Sequence, residues 1–459
     1  MMDTATAARA VRGQLRGENV GFSRVATDTR TLAPGDLYVA IEGERFDGHD
    51  FVGIAFERGA AAAIVAADHA STLSGNLIAV PDSIAALGAL AAHWRAQFSI
   101  PVIGIVGSNG KTTVKEMLAA ILRTHFGDAQ VLATAGNFNN AIGLPLTLLG
   151  LNAGHRVAAI ELGMNHPGET AELAAIASPS VALINNAQRE HQEFMQSIAD
   201  VAGEHAALLR ALRRRGTAIL NADDPSVDVW RAVAGNRRDI EVFEFALEHA
   251  AAVRLRGSAP PPGEPIELST PAGDATIRLG APGRHNVANA LAAAAAAFAI
   301  GVPLSAISAG LEAFRPVAGR LATRRALSGA TVIDDTYNAN PDSVLAAIDV
   351  LAPMPAPRWL VLGDMGEVGA NGPGFHREVG EYARVAGIDR LLAVGELAME
   401  SAAAFGPGAE HFASVEALAT RVARTAVAGT TVLVKGSRFM RMERVVDAMC
   451  GSAAAQGAH

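Results

Sequence analysis

The run Val102-Ile103-Gly104-Ile105-Val106, passing into Gly107-Ser108-Asn109-Gly110-Lys111-Thr112-Thr113, constrains the fold more tightly than any other part of the chain. A continuous apolar run of this length suits a strand covered on both faces, as in a parallel sheet. Strand, glycine-containing turn, Lys-Thr and helix in succession make a phosphate cradle. Gly107 and Gly110 let the backbone N–H groups of Ser108 and Asn109 turn inward, and the following helix adds positive potential at its N-terminus. Lys111 then pairs the β- and γ-phosphates of a nucleotide, and the hydroxyl of Thr112, with Thr113 beside it, is placed to hold Mg2+. The first glycine of the usual motif would fall at Ile105, so this is the variant GxxGKTT.

Patterning on either side extends this reading. At about 150 residues per domain, 459 residues make roughly three domains. Residues 1–82 read as a small mixed α/β unit, with helices over 5–15 and 49–58 and strands over 36–41, 62–65 and 77–80. Residues 83–316 read as the nucleotide-binding unit. Ser83 caps a helix reaching Phe98; strands over 102–106, 131–134, 157–162, 181–185 and 217–221 are separated by helices over 112–124, 168–177 and 198–213. The Pro/Gly-rich stretch 257–263 reads as a loop around a small β insertion, and an alanine-rich helix covers 286–300. A third block, residues 317–459, alternates strands over 331–334, 359–363, 390–394 and 431–434 with helices over 341–351, 376–386 and 415–427. The tail from Gly451 reads as frayed. The expected fold is therefore α/β in three domains: a small mixed α/β N-terminal domain, a central P-loop ATPase-like parallel-sheet domain and a C-terminal Rossmann-like domain.

Composition excludes several classes. The net charge of −8 argues against broad binding to nucleic acid or anionic membrane. The longest charge-free apolar run, residues 290–304, is broken by Gly301 and Pro303 and falls short of the ~20 residues a membrane helix needs. Cys450 is the only cysteine, which excludes a disulfide framework and a thiolate metal cluster. With no signal-peptide core at the start, a soluble, reducing, cytoplasmic setting is expected. Only three of the 38 basic residues are lysine: Lys111, Lys115 and Lys435. A compact ammonium fits a phosphate cradle that a planar guanidinium overfills. Lys111 and Lys435 lie in glycine-containing motifs, whereas Lys115 reads as an exposed helix position.

From Gly107–Thr113 onward the chain resembles the Mur ligase family, ATP-dependent enzymes that join amino acids or peptides to a nucleotide-linked cell-wall precursor. The resemblance runs through nearly the whole length. Asn137, Asn139 and Asn140, in Thr134-Ala-Gly-Asn-Phe-Asn-Asn, resemble the family's substrate loop. Glu161, in Glu161-Leu-Gly-Met-Asn165, resembles the Mg2+-binding glutamate, and His191 sits where the family has a metal-binding histidine. His285 and Asn286 resemble the adenine-side motif, and Arg320 the linker arginine that reaches phosphate. Asp335 and Asn338 resemble the ribose-contacting turn, with Asn340 counted among the substrate contacts. Gly363-Asp-Met-Gly-Glu367 and Lys435-Gly436-Ser437-Arg438 resemble motifs lining the cleft. Thr29, Arg30, Arg45 and His49 fall in segments resembling the part that grips a UDP end. Each also has an ordinary reading: Glu161 as a cap on the next helix, His191 as a loop filler, His285 and Asn286 as an N-cap, Asp334-Asp335 as a helix cap, and Arg30 and Arg320 as solvated charges.

The resemblance implies ATP and Mg2+ as cofactors, with Lys111, Glu161 and His191 as the catalytic set. The Tyr337-Asn338-Ala339-Asn340-Pro341 form points to the member that adds D-alanyl-D-alanine to UDP-N-acetylmuramoyl-tripeptide, acting as a monomer on these two small molecules, with no nucleic acid and no membrane insertion. An acyl-phosphate intermediate must be kept from water, so closure of the third domain about a hinge near residues 316–320 is expected. Two readings compete: another amide ligase of this architecture (the third-residue-adding ligase or folylpolyglutamate synthase), and a nucleotide-binding protein without ligase chemistry. One departure stands out. Many members carry a carbamoylated lysine after the histidine, and here no lysine lies between Lys115 and Lys435. Glu204 is the expected source of the missing charge and His205 the weaker one, unless phosphate and water hold a second Mg2+.

Overall fold

The computed structural model describes residues 1–261 and 263–451, so the frayed reading of the tail at 452–459, and Pro262 in the 257–263 loop, lie outside the described residues. Three parallel-rich sheets carry the chain. In the first, the order is Gln14–Arg16, Leu77–Val80, Ala62–Ala66, Asp36–Val39, Arg24–Ala26, with only the Gln14–Arg16 pairing antiparallel. The helix expected over 5–15 ends at Ala10, because residues 14–16 pair with Leu77–Val80 instead.

The second sheet places Val102–Val106 between Val157–Glu161 and Val181–Ile184, with Val131–Ala133 beyond the first and Thr217–Asn221 and Glu241–Ala246 beyond the second. All these pairings are parallel. Chain order reverses at Val102–Val106, which opens a crevice at the carboxyl ends of its neighbours. The small β insertion is present: Val253–Leu255, Ile266–Thr270 and Gly273–Ile277 extend the sheet, the last two antiparallel. Both faces of the sheet are covered, and Ala292–Ala297 of the Arg284–Ala299 helix are fully buried. Small side chains also let helices approach: a Cβ on Gly310 would stand 2.3 Å from Ile121 Cα.

In the third sheet Thr331–Asp335 and Arg358–Gly363 flank Thr431–Lys435, again a reversal of order with its crevice at the carboxyl ends. Ala322–Arg325 pairs antiparallel at one edge, and Arg390–Val394 and Ala409–Phe412 continue the other.

Three local expectations are corrected. Asp82, not Ser83, caps the Ser83–Arg95 helix, accepting from the N–H groups of Ile84 and Ala85. The helix expected over 198–213 is two pieces, Ile198–His205 and Ala207–Arg210. Lys115 is fully buried and its ammonium is paired with Glu116. It lies beside Val114, Met117 and Leu118 on the packed side of its helix, and burial of a long aliphatic stem with a paired tip is how a lysine is accommodated there. Among the described residues, no helix is long and apolar enough to cross a membrane.

Candidate active site

The two crevices face each other across a cleft of about 780 Å³ lined from both sheets. On the central side, Val102–Val106 ends at Gly107, whose φ of +148° and approach to Asn185 leave no room for a Cβ. The turn is strapped to the segment after Val181–Ile184. Ser108 N–H donates to Asn186 O at 3.1 Å, Asn109 N–H to Asn186 Oδ1 at 2.9 Å, and Asn185 Nδ2 to Asn109 O at 2.9 Å. Gly110, in the left-handed region at φ +82°, opens the Lys111–Phe126 helix. The cradle's shape is therefore fixed by amide side chains that the sequence marks only as Asn185-Asn186.

Thr112 Oγ1 donates to the Glu161 carboxylate at 2.9 Å, and Asn139 Nδ2 donates to its other oxygen at 2.8 Å. Glu161 is 2% exposed and does not cap the next helix. That task falls to Glu204, whose two oxygens accept from Gly168 N–H at 3.0 Å and Thr170 N–H at 2.9 Å. Glu204 is thus committed to a helix N-terminus, correcting its expected role as the spare charge. His205 instead points inward, with Nε2 3.3 Å from Glu190. His191, at φ +48°, has Nδ1 2.5 Å from Glu367, in the loop after the Arg358–Gly363 strand, and Nε2 3.7 Å from Glu190. Lys111 Nζ donates to Gly107 O at 2.5 Å and lies 3.4 Å from Glu190.

His285 and Asn286 line the cleft, but neither is an N-cap. The helix starts at Arg284 after Gly283 without a side-chain cap, and Asn286 Nδ2 donates to Pro282 O at 2.7 Å. Burial holds the His285 imidazole below its ordinary pKa.

From the other side come Arg320, Asp335, Asn338, Asn340 and Lys435. Asp334 and Asp335 do not cap a helix; Asn340 does, in a capping box with Ser343. The two aspartates pin the linker: Asp334 accepts from Gly319 N–H and Asp335 from Leu321 N–H, each at 3.2 Å. Arg320 lies over the Tyr337 ring at 4.0 Å. Lys435 Nζ donates to Asp335 at 2.6 Å and to Asn338 O at 3.0 Å. The sides are clasped by a reciprocal amide pair, Asn109 with Asn340, and by Arg189, which pairs with Asp342 at 2.6 Å and Glu378 at 2.7 Å.

Gly107, Ser437 and Arg438 are not among the lining residues. Ser437 is buried, accepting from Gly366 N–H at 2.6 Å and donating to Ala339 O at 3.0 Å, and Arg438 pairs with Glu443 at 3.4 Å. Thr29, Arg30, Arg45 and His49 also lie outside it, in the N-terminal unit. Arg30 is exposed and paired with Asp28, and Arg45 is exposed. His49 is 5% exposed with both ring nitrogens engaged: Nδ1 on Asp47 at 2.6 Å, Nε2 accepting Ala66 N–H at 2.9 Å. That second bond places the proton on Nδ1, so the Asp47, His49 and His69 group, close enough to surround a cation, is a hydrogen-bonded structural cluster. The sequence does not single out Arg189, Glu190, Asp342 or Glu378; the one signal is that Arg189 and Glu190 form a charged pair directly before His191.

A P-loop facing a second α/β crevice, with buried carboxylates between them, defines an ATP-dependent ligase architecture. The chain belongs to the Mur ligase family. Three family patterns match: the Mur ligase family catalytic domain over residues 22–120, the Mur ligase middle domain over 105–297 and the Mur ligase glutamate ligase domain over 319–438. The chain is 43% identical, over 96% of its length and 96% of the relative's, to the UDP-N-acetylmuramoyl-tripeptide–D-alanyl-D-alanine ligase of Escherichia coli K12. The crystal structure of MurF from Acinetobacter baumannii superposes with a TM-score of 0.87 at 32% identity, covering 97% of this chain and 98% of that one. MurF ligase from Thermotoga maritima, in complex with ADP, gives 0.80 at 28% identity over 93% and 96%.

Proposed function

We propose that this chain joins D-alanyl-D-alanine to UDP-N-acetylmuramoyl-tripeptide with ATP, giving the UDP-MurNAc-pentapeptide used in peptidoglycan synthesis. The observation that carries the reading is full-length likeness to ligases of that name, together with one cleft where the cradle, Glu161 and the Lys435–Asp335 pair meet. The tripeptide carboxylate attacks the γ-phosphorus, the bond to ADP breaks, and an acyl phosphate forms. The dipeptide amine then attacks the carbonyl carbon, the bond to phosphate breaks, and the amine proton leaves to solvent. Lys111 and the first-turn N–H groups of the Lys111–Phe126 helix stabilise charge developing on the phosphoryl group, while the N–H groups of Ser108 and Asn109 are held by Asn186.

Thr112 and Glu161 offer adjacent oxygen ligands with Asn139 fixing the carboxylate, a donor set that fits Mg2+. Mg2+, when bound, supplies further neutralisation of phosphate charge. His191, held by Glu367, is the third residue assigned to this centre. His285 and Asn286 are assigned to adenine, Asp335 and Asn338 to ribose, and Arg320 to phosphate. Asn137, Asn139, Asn140, Asn340 and Lys435 are assigned to the peptide substrates, with Ser437 and Arg438 shaping that wall. Thr29, Arg30 and Arg45 present their donors to the UDP end, and His49 supports that loop from behind. The units 1–82, 83–316 and 317–459 thus take the UDP precursor, ATP and the incoming dipeptide, in a cytoplasmic monomer.

Phosphate release measured with purified chain, ATP, Mg2+ and UDP-MurNAc-tripeptide, with and without D-Ala-D-Ala, tests the reading. Release that needs both substrates, with a matching mass gain on the precursor, is expected. Release independent of either, or glutamate transfer to a folate, overturns it.

A further inference from the structure

Glu190 is buried, 4% exposed, on the segment that straps the cradle. Its carboxylate lies 3.4 Å from Lys111 Nζ, 3.3 Å from His205 Nε2 and 3.7 Å from His191 Nε2. Its Oε1 has only the His205 Nε2 contact, which falls short of hydrogen-bond geometry, and Nδ1 of the buried His205 makes no hydrogen bond. Buried polar atoms without partners are rare and point to a missing one.

Among the described residues, Lys111 is the one permanently charged cation within ion-pair distance of Glu190. It is also the lysine of the phosphate cradle. A triphosphate competes with Glu190 for that ammonium, and an ionised carboxylate this deeply buried is strongly disfavoured once its partner leaves. Mg2+ is commonly held by one or two carboxylates together with substrate phosphates and water. Glu161 is the first such carboxylate, and Glu190 lines the same cleft.

We propose that Glu190 is the acidic ligand of a second divalent cation, separate from the one at Glu161, which enters with the nucleotide and takes over the position on Glu190 that Lys111 gives up to phosphate. The inference rests on the ATP-binding half of the ligase reading and assigns Glu190 the charge-balancing role first expected of Glu204.

Mn2+ counting by electron paramagnetic resonance on the full chain with adenylyl imidodiphosphate, without peptide substrates, tests it. The wild-type chain binds two Mn2+ with the analogue. Glu190→Gln, nearly isosteric and uncharged, binds one while still binding the analogue. Glu190→Asp keeps two, the second weakened by about tenfold or more. Two Mn2+ of unchanged affinity in Glu190→Gln, or a single Mn2+ in the wild type, overturns the proposal. Should Glu190→Gln not fold, Glu190→Asp decides: an unchanged second constant overturns it. Because no peptide substrate is present, absent ligation with the expected Mn2+ counts sinks the substrate assignment and leaves this inference standing.

Discussion

Lys435 and Asp335 are register partners on adjacent parallel strands, and their side chains meet at 2.6 Å inside the cleft. Partners in register project to the same side, so the pair follows from strand order alone. Both side chains are largely buried, at 4% and 13% exposure, and Lys435 also ties down Asn338 O. Lys435→Ala leaves Asp335 as an unpaired buried charge, and a stability loss of about 3–5 kcal/mol is expected. Lys435→Arg does not restore it, since a planar guanidinium overfills the space of an ammonium. A denaturant midpoint for Lys435→Ala equal to wild type refutes this account.

Arg189 is the strongest link between the two sides of the cleft. Its backbone N–H and its guanidinium both reach Asp342, Nη1 reaches Glu378, and the Phe375 ring packs at 5.2 Å. It directly precedes Glu190 and His191, so the clasp and the catalytic centre share one loop. Arg189→Ala is expected to slow turnover by about tenfold, or ~1.4 kcal/mol in the barrier. It should also enlarge the radius of gyration of the nucleotide-bound chain in small-angle scattering. Unchanged scattering together with unchanged turnover removes the clasp from the mechanism.

Gly110 allows the cradle to close. At φ +82° an L side chain is strained by about 1–2 kcal/mol, and a Cβ would stand 2.4 Å from Asn289 Oδ1 and 2.8 Å from Asn185 Nδ2. Gly110→Ala therefore displaces the amides that shape the turn. Calorimetric titration with ADP should show affinity lowered by at least tenfold, about 1.4 kcal/mol; wild-type affinity contradicts the steric argument.

Sheet strands and the cradle were legible because their cause is local. Val102–Val106, Thr217–Asn221 and Arg390–Val394 fall where continuous apolar runs place them. What escaped depends on which distant groups meet. Lys115 has the composition of a surface residue, and its burial follows from tertiary packing on its helix, which the Leu304–Ala313 and Arg284–Ala299 helices and the sheet strands all contact. The resemblance drew attention to Glu204 by its place in the chain, while the fold turns it to a helix end and turns His205 to Glu190. Arg189 carries no motif at all, since its partners lie more than a hundred residues away.

Glu204→Ala releases Gly168 N–H and Thr170 N–H at the start of the Glu169–Ala177 helix. Loss of such a cap costs about 1 kcal/mol. The melting temperature should fall by a few degrees, about 2–4 °C for a domain of this size, with turnover close to wild type. A collapse of turnover with no change in stability would return Glu204 to the metal centre.

His376 makes the C-terminal wall sensitive to acid. Its Nδ1 donates to Gly372 O at 2.8 Å and its Nε2 accepts from Met365 N–H at 3.0 Å, so the ring must be neutral to make both bonds. Burial depresses its pKa, outweighing the bond to Gly372 and the charges of Asp364 and Glu400. With the folded value below the unfolded one, near 6.5, the unfolded chain takes up the proton first as pH falls. The contribution is intact above about pH 6.5 and is lost as pH drops through the folded value. The bond it protects steadies the 363–367 loop that presents Glu367 to His191. Denaturation midpoints measured from about pH 7.5 down to pH 5 should decline more steeply for wild type than for His376→Gln, which is less stable at neutral pH but lacks this proton. Parallel declines in the two proteins assign the acid sensitivity to other groups.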